Sequence, residues 1–308
     1  MKRALVIGTI FLVIAVLGSG AMAADKIVLQ KYPNLKIGFL NANFSKQWPF
    51  GPESAKKSID FAAEQGFSWI EVRDPFATMT LEESKALAAY AEQKGIEVAY
   101  AMNVGLLDAN FWEVFMRGLA NAAVFKGPRT IRTAAPGLEF VMDEKKTHWT
   151  FAEIQKAVET ANQAANLAKM MGLQYVVENA AAALKGDGAT TFGMIELFGL
   201  ANSNLGFQLD TGNFFIGCRV FPKPEEAQAF VEKYGSRLGY VHLKSATQDH
   251  KTQPVLADNA LDFDAVFAVA AKNKHPYIGF ELDQPNTLDE AYANHKKSIE
   301  YLKGKFGG

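Results

Sequence analysis

The sequence predicts an α/β fold of one kind: a single (β/α)8 TIM barrel preceded by a cleavable signal peptide. Three observations carry this reading. Short apolar runs alternate with longer amphipathic ones, eight times in succession. The mature part of a 308-residue chain matches one such barrel, whose usual length is about 250 residues. An open doubly wound sheet would need a glycine-rich phosphate turn after its first strand, and "NANFSKQWPFGP" is not one.

The chain starts with basic "MKR", continues in the apolar run Ala4–Leu17 and then offers small residues in "SGAMAADK". That order is the anatomy of a secretory signal peptide, with Ala21, Met22 and Ala23 before the cleavage point. A membrane anchor is the competing reading, but the uninterrupted run is shorter than the roughly 18–20 residues that span a bilayer. Residues 1–23 are assigned to the signal and residues 24–308 to the barrel. The expected location is outside the cytoplasm, in a bacterial periplasm. No cysteine follows the apolar run to carry a lipid anchor. The single cysteine, Cys218, allows no internal disulfide, and a chain of this size needs none.

Strands are expected at Lys36–Asn43, Ser68–Asp74, Glu97–Asn103, Arg129–Ala134, Gln174–Asn179, Gly206–Gly212, Gly239–Lys244 and Tyr277–Leu282. Each is a short run rich in β-branched and aromatic residues. The helix "GPESAKKSIDFAAEQG" has Pro52 near its start and stops at Gly66. Thr80 with Glu83, and Thr150 at the head of "WTFAEIQKAVETANQ", are capping signals, with glycines 95 and 172 as stops. Further helices are expected over Phe111–Phe125, Phe192–Ala201, Pro224–Tyr234, Phe263–Asn273 and Leu288–Lys303.

Charge excludes some partners. With 32 basic against 33 acidic residues the net charge is −1, so nothing predicts a nucleic-acid surface. After the signal, no second apolar stretch is long enough to span a membrane.

The chemistry enters at strand ends. "YVHLKS" alternates like a buried strand, yet His242 and Lys244 face away from Val241 and Leu243. One such histidine is most simply a satisfied core residue. The neighbouring strands repeat the pattern, however: "YVVEN" ends in Glu178, "FQLDTGN" runs into Asp210 and "IGFELD" carries Glu281. In a (β/α)8 barrel these ends converge on the face where active sites are built. Three carboxylates in a partly dry cavity repel one another, and a divalent cation removes that conflict. Three oxygen donors with one imidazole suit Mn²⁺ first, with Co²⁺, Mg²⁺, Fe²⁺ or Zn²⁺ also admitted.

The ordered set "VVEN", "LDTGN", "VHLK" and "GFEL", its members roughly thirty to forty residues apart, resembles the xylose-isomerase-like barrels. The resemblance is to the branch of ketose 3-epimerases and related sugar isomerases, over nearly the whole mature chain. It implies that Glu178, Asp210, His242 and Glu281 bind one metal ion. It also implies that Glu178 and Glu281 are the catalytic acid–base pair, on opposite faces of a bound sugar. One would remove a proton beside a carbonyl and the other return it from the far side, each worth about 10²–10⁴-fold. The metal would act as a Lewis acid on the substrate oxygens. The chain departs from that branch at Asn213, where a substrate-contacting histidine is usual, and at Leu184, Ser245 and Gln248, where Glu, Asp and Arg are usual. The catalytic core is kept while the free-ketose recognition set is changed.

Substrate contacts are expected from Lys244, Asn213, Gln248 and Trp48. For Lys244 a lysine snorkelling at the barrel rim is an equal alternative. Trp48, Phe44, Phe50 and Trp112 could wall a sugar or anchor loops. Glu71 and Arg73, on one face of "EVRD", are expected to form an ion pair inside the barrel mouth. Asn103 and Asn179 could orient ligands from behind. His148, His250, His275 and His295 are expected at the surface or in loops, and Cys218 as a small buried hydrophobe.

The function expected is therefore that of an exported, metal-dependent carbohydrate enzyme of isomerase or epimerase type. The alternative within the same chemistry is a lyase or hydratase on 3-keto-glycosides, in which loss of a β-substituent follows proton removal. A non-catalytic sugar-binding barrel is the reading from another class. Apurinic endonucleases share the fold but need more histidines for three zinc ions than this chain's five provide. The expected partner is a small carbohydrate or keto-glycoside, with no nucleic acid, no membrane once the signal is removed, and a homo-oligomer left open.

Overall fold

A computed structural model describes residues 24–134, 150–179, 199–213, 224–247, 251–258, 262–272 and 276–308. The expected signal peptide lies outside them, as do Leu184, Cys218, Gln248, His148, His250, His275 and most of the helix expected over 192–201.

Eight strands close into a barrel in chain order. They are β1 (Lys36–Leu40), β2 (Trp69–Arg73), β3 (Glu97–Gly105), β4 (Thr130–Ala134), β5 (Gln174–Glu178), β6 (Gly206–Asp210), β7 (Leu238–Leu243) and β8 (Tyr277–Phe280). All neighbours are parallel, and β1 pairs with β8 to complete the ring. Helices pack around it: α1 (Pro52–Gln65), α2 (Leu81–Gln93), α3 (Phe111–Ala123), α4 (Phe151–Met170), α5 (Pro224–Tyr234), α6 (Phe263–Ala270) and α7 (Leu288–Phe306). None among the described residues is long and apolar enough to cross a membrane.

Local sequence explains the element ends. Thr80 and Thr150 each accept a hydrogen bond from the backbone three residues on, while Glu83 and Glu153 reach back, so α2 and α4 start on capping boxes. Gly66 ends α1 with φ of 77°, a left-handed turn that side chains resist. On α4 the residues turned inward are Ile154, Ala157, Ala161, Ala164, Ala165 and Ala168, at the three-and-four spacing of a buried stripe. The small side chains let this helix lie close to the sheet.

The barrel interior is layered. Below the mouth, Trp69, Ala99, Val176, Tyr240 and Tyr277 from five strands fill the channel. Gly279 makes room for this floor, since a Cβ there would stand 3.0 Å from the Trp69 ring. The floor makes the channel a plugged cup, with Glu71, Arg132, Glu178, Asp210 and His242 buried above it.

Two expectations need correction. The first strand does not run to Asn43: β1 stops at Leu40 and Asn41–Phe44 coil into a 3₁₀ turn, all four buried. His295 is not a surface residue. It is 1% exposed on the inner stripe of α7 with Ala291, Asn294, Ser298 and Leu302. A polar residue on the buried side of a helix is read wrongly when only its type is considered.

Candidate metal centre at the barrel mouth

Three of the four strand-end residues are placed by the ladder itself. Glu178 ends β5, Asp210 ends β6, and His242 lies one residue before the end of β7. Asp210 stands opposite His242 in register, and His242 opposite Gly279. Glu281 directly follows β8, its backbone N–H donating to Leu243 O at 2.9 Å. Inward-facing side chains at these heights meet. One donor atom from each of the four lies within 4.8 Å of the others, with Glu178, Asp210 and His242 buried.

The orientation of His242 is set from β2. Its Nε2 lies 2.8 Å from Glu71 Oε2, and a carboxylate oxygen can only accept, so Nε2 carries the hydrogen. Tyr240 donates to the same oxygen at 2.7 Å, and Arg73 Nη2 donates to Glu71 Oε1 at 3.1 Å. The expected Glu71–Arg73 pair is present, and Glu71 also holds the imidazole. Nδ1 then points into the cluster, 2.8 Å from Glu281 Oε2 and 3.4 Å from Glu178 Oε1. A carboxylate–histidine pair of this kind is the usual backing of a metal-binding imidazole.

Three buried atoms of this cluster are left without an ordinary hydrogen bond: His242 Nδ1, Glu281 Oε2 and Asp210 Oδ2, the last met only by the Lys244 ammonium at 3.1 Å. They belong to three of the four candidate ligands. An acceptor nitrogen facing an acceptor oxygen in a dry site is repulsive unless positive charge stands beside both. The donor set of two glutamates, an aspartate and an imidazole fits one divalent ion of the hard to borderline class.

Cations from other strands surround the acids. Arg132 on β4 contacts Glu178 and donates to Met102 O at 2.9 Å and Asn103 Oδ1 at 3.2 Å. Lys244 Nζ stands 2.6 Å from Glu281 Oε1, 3.1 Å from Asp210 Oδ2 and 3.2 Å from Asn213 Oδ1. Gly212 leaves space for the stem of this lysine, because a Cβ there would lie 2.6 Å from Lys244 Cγ.

The titration of these groups follows from their neighbours. Burial disfavours the Glu281 carboxylate, but Lys244 and His242 outweigh it and hold Glu281 well below the usual range. Asp210 shares the same lysine and is pushed upward by burial and by the Glu281 charge. One ammonium thus satisfies one carboxylate at the expense of the other. His242 is raised, burial being overcome by Glu71 and Glu281. The cluster attracts positive charge in whatever form it comes.

Backbone positions are fixed by asparagines. Asn179 Oδ1 accepts from Asp210 N at 2.7 Å and its Nδ2 donates to Asp210 O at 3.0 Å. Asp210 Oδ1 accepts from the N–H groups of Gly212 and Asn213, both at 2.8 Å. Asn103 turns to Arg132 instead of a ligand.

A cavity of about 480 Å³ opens beside the cluster, lined among others by Asn43, Lys46, Arg73, Lys244, Glu281 and Asp283. Lys244 and Asn213 sit at the cluster. Trp48 does not line this cavity; it stacks on Phe44 at 4.6 Å. Phe44 is core, whereas Phe50 and Trp112 are exposed. Ser245 closes a loop, donating to Ala257 O at 3.1 Å and accepting from Ala257 N at 2.9 Å. Sequence reasoning passed over Arg132, Asn43 and the Glu71–His242 link. A signal existed for two of them: "TIRTA" and "IEVRD" place charge on the inward side of apolar strands, as "YVHLK" does.

Comparison with known proteins agrees with this architecture. No curated protein matches the sequence. The chain is similar in structure to D-psicose 3-epimerase from Clostridium cellulolyticum H10 (14% identity, 88% of this chain and 99% of that chain covered, TM-score 0.61). L-ribulose 3-epimerase is likewise similar (19%, 88% and 96%, TM-score 0.60). So is the IOLI protein, solved with a binding zinc atom (16%, 88% and 99%, TM-score 0.63). At these identities the likeness carries the fold. The family of xylose isomerase-like TIM barrels matches residues 59–305, and the chain belongs to that family.

Proposed function

We propose that this protein is a metal-dependent enzyme that isomerises or epimerises a small sugar by moving a proton on the carbon beside a carbonyl. The observation that carries the reading is the convergence of donor atoms from Glu178, Asp210, His242 and Glu281 within 4.8 Å at the mouth of the barrel, with His242 Nδ1 and Glu281 Oε2 buried and without a hydrogen bond. The family and the sugar epimerases among its structural neighbours support it.

Glu178, Asp210, His242 and Glu281 would hold the ion, with Mn²⁺ the first candidate and zinc suggested by one neighbour. A divalent ion there supplies Lewis acidity for the charge that develops on the carbonyl oxygen. The two glutamates divide the proton work. One takes the proton from the carbon, whose C–H electrons become the new C=C bond as the carbonyl π pair moves to oxygen. The other returns a proton from the opposite face. Lys244 and Asn213 border the cluster and would orient substrate oxygens. The floor of Trp69 and Tyr240 keeps water from entering below.

The same proton removal ends in elimination when the substrate carries a leaving group β to the carbonyl. The replacement of the usual histidine by Asn213 keeps a 3-keto-glycoside lyase within the reading. Export to the periplasm through residues 1–23 belongs to this proposal too, and glycosides are met there.

The test is exchange in D₂O. The mature protein loaded with Mn²⁺, Co²⁺ or Zn²⁺ is incubated with ketoses and with 3-keto-glycosides and followed by NMR. Deuterium entering beside the carbonyl with a new epimer or isomer supports the main reading, and release of an aglycone supports the lyase. Metal and sugar binding without exchange would leave a non-catalytic binding barrel.

A further inference from the structure

Behind the mouth, on the outer side of β1 and β8, an imidazole is buried where a phenylalanine would pack. His295 on α7 is surrounded by the rings of Phe39, Phe44, Phe61, Phe67 and Phe280, with centroids 5.1–6.4 Å away. A polar ring among apolar ones is costly unless its nitrogens are used. Both are. Nδ1 donates to Ala291 O at 2.8 Å, which leaves Nε2 as an acceptor 3.1 Å from Asn43 Nδ2.

The other contacts of Asn43 fix its orientation. Nδ2 also donates to Phe280 O at 3.0 Å, and Oδ1 accepts from Leu282 N at 3.2 Å. A flipped amide would oppose donor to donor at Leu282 and acceptor to acceptor at Phe280. Phe280 and Leu282 flank Glu281. The register between β1 and β8 ends with Phe39 opposite Phe280, and beyond it the Asn43 side chain, not β1 backbone, accepts from Leu282 N. On the other side Glu281 N is bonded to Leu243 O.

We propose that His295, acting through Asn43, is a positioning residue for Glu281. The imidazole accepts the second amide hydrogen of Asn43, which would otherwise be orphaned among aromatic rings. Asn43 in turn holds the peptide groups on both sides of the glutamate. The clamp is a statement about backbone geometry, and its consequence for metal binding rests on the function proposed above.

The experiment compares wild type, His295→Phe, Asn43→Ala and the double variant by two measurements. The first is hydrogen exchange at the Leu282 amide, read by NMR. Its protection is expected to fall about tenfold or more in each single variant, and no further in the double, since the two residues act as one unit. The second is Co²⁺ titration, with affinity expected to fall about tenfold in parallel as the glutamate loses its fixed position. Phe67→Leu, a packing change in the same ring cluster, is expected to alter neither. Wild-type Leu282 protection in His295→Phe, or an effect that adds in full to that of Asn43→Ala, would overturn the proposal. Failure of the wild type to take up Co²⁺ would instead sink the metal-dependent function, with Leu282 exchange still deciding the clamp.

Discussion

The two halves of the barrel bring different things to the mouth. Strands β5 to β8 provide the candidate ligands Glu178, Asp210, His242 and Glu281. Strands β1 to β4 and the turn after β1 provide no candidate ligand but much of what holds them: Asn43 beside Glu281, Glu71 behind His242, Arg73 on Glu71 and Arg132 on Glu178, with Lys244 and Asn179 added from the ligand half itself. The difference teaches that a set of donors is only half of such a site. Converging carboxylates repel unless cations are spaced between them, and an imidazole offers its lone pair in a chosen direction only if its other nitrogen is occupied.

The largest effect is expected from breaking the ligand half. Asp210→Ala with His242→Ala should reduce bound metal from near one ion per chain to none, measured on protein purified without chelator. Full retention would show that the four strand ends do not form the site.

Next comes the supporting half. Arg132→Met leaves Glu178 buried without its guanidinium, a change that costs about 3–5 kcal/mol when one partner of a buried pair is removed. Urea denaturation should register it, and added Mn²⁺ should return part of the loss, because a ligand that binds only the folded state stabilises it. An unchanged midpoint would mean that the Arg132 contact carries no stability.

His295, on α7 behind Asn43, gives a pH signature to the support of Glu281. Burial pushes its pKa down to about 4, against about 6.5 in the unfolded chain, which therefore takes up the proton first. Its contribution is complete above about pH 6.5 and is lost as pH falls toward 4, by about 3 kcal/mol in all. Stability of wild type should drop over that window more steeply than that of His295→Phe. Parallel curves would show that the His295 imidazole takes up its proton as readily in the folded protein as in the unfolded chain.

The smallest effect separates orientation from ligation. Glu71→Gln keeps every candidate ligand and removes the charge that stands behind His242 and beside Arg73. Metal affinity should fall about 10–100-fold with the fold intact by circular dichroism. No change in calorimetric affinity would mean that His242 needs no backing from β2.

Much of this is legible in the sequence. The alternation of elements, the capping boxes at Thr80 and Thr150 and the stop at Gly66 are local rules, and the structure follows them. The four strand ends were legible because a charged residue closing an apolar run stands out four times in succession. His295 was not legible. Its neighbours Phe39, Phe44 and Asn43 lie more than two hundred residues away in sequence, and only closure of β1 on β8 brings them to α7. Arg132 and Glu71 were ambiguous for a related reason: each strand alone shows an inward charge but not which opposite charge it will meet.

By itself, then, the sequence determined the order of the strands, the capped starts of the helices at Thr80 and Thr150, and which side chains stand at the strand tips, since propensity, caps and period act within a few residues. Tertiary structure alone decided which nitrogen of His242 points at the carboxylates, which cation serves which acid, and that an asparagine replaces the missing end of β1. Those outcomes depend on distances across the closed ring, and barrel closure, not chain neighbourhood, sets such distances.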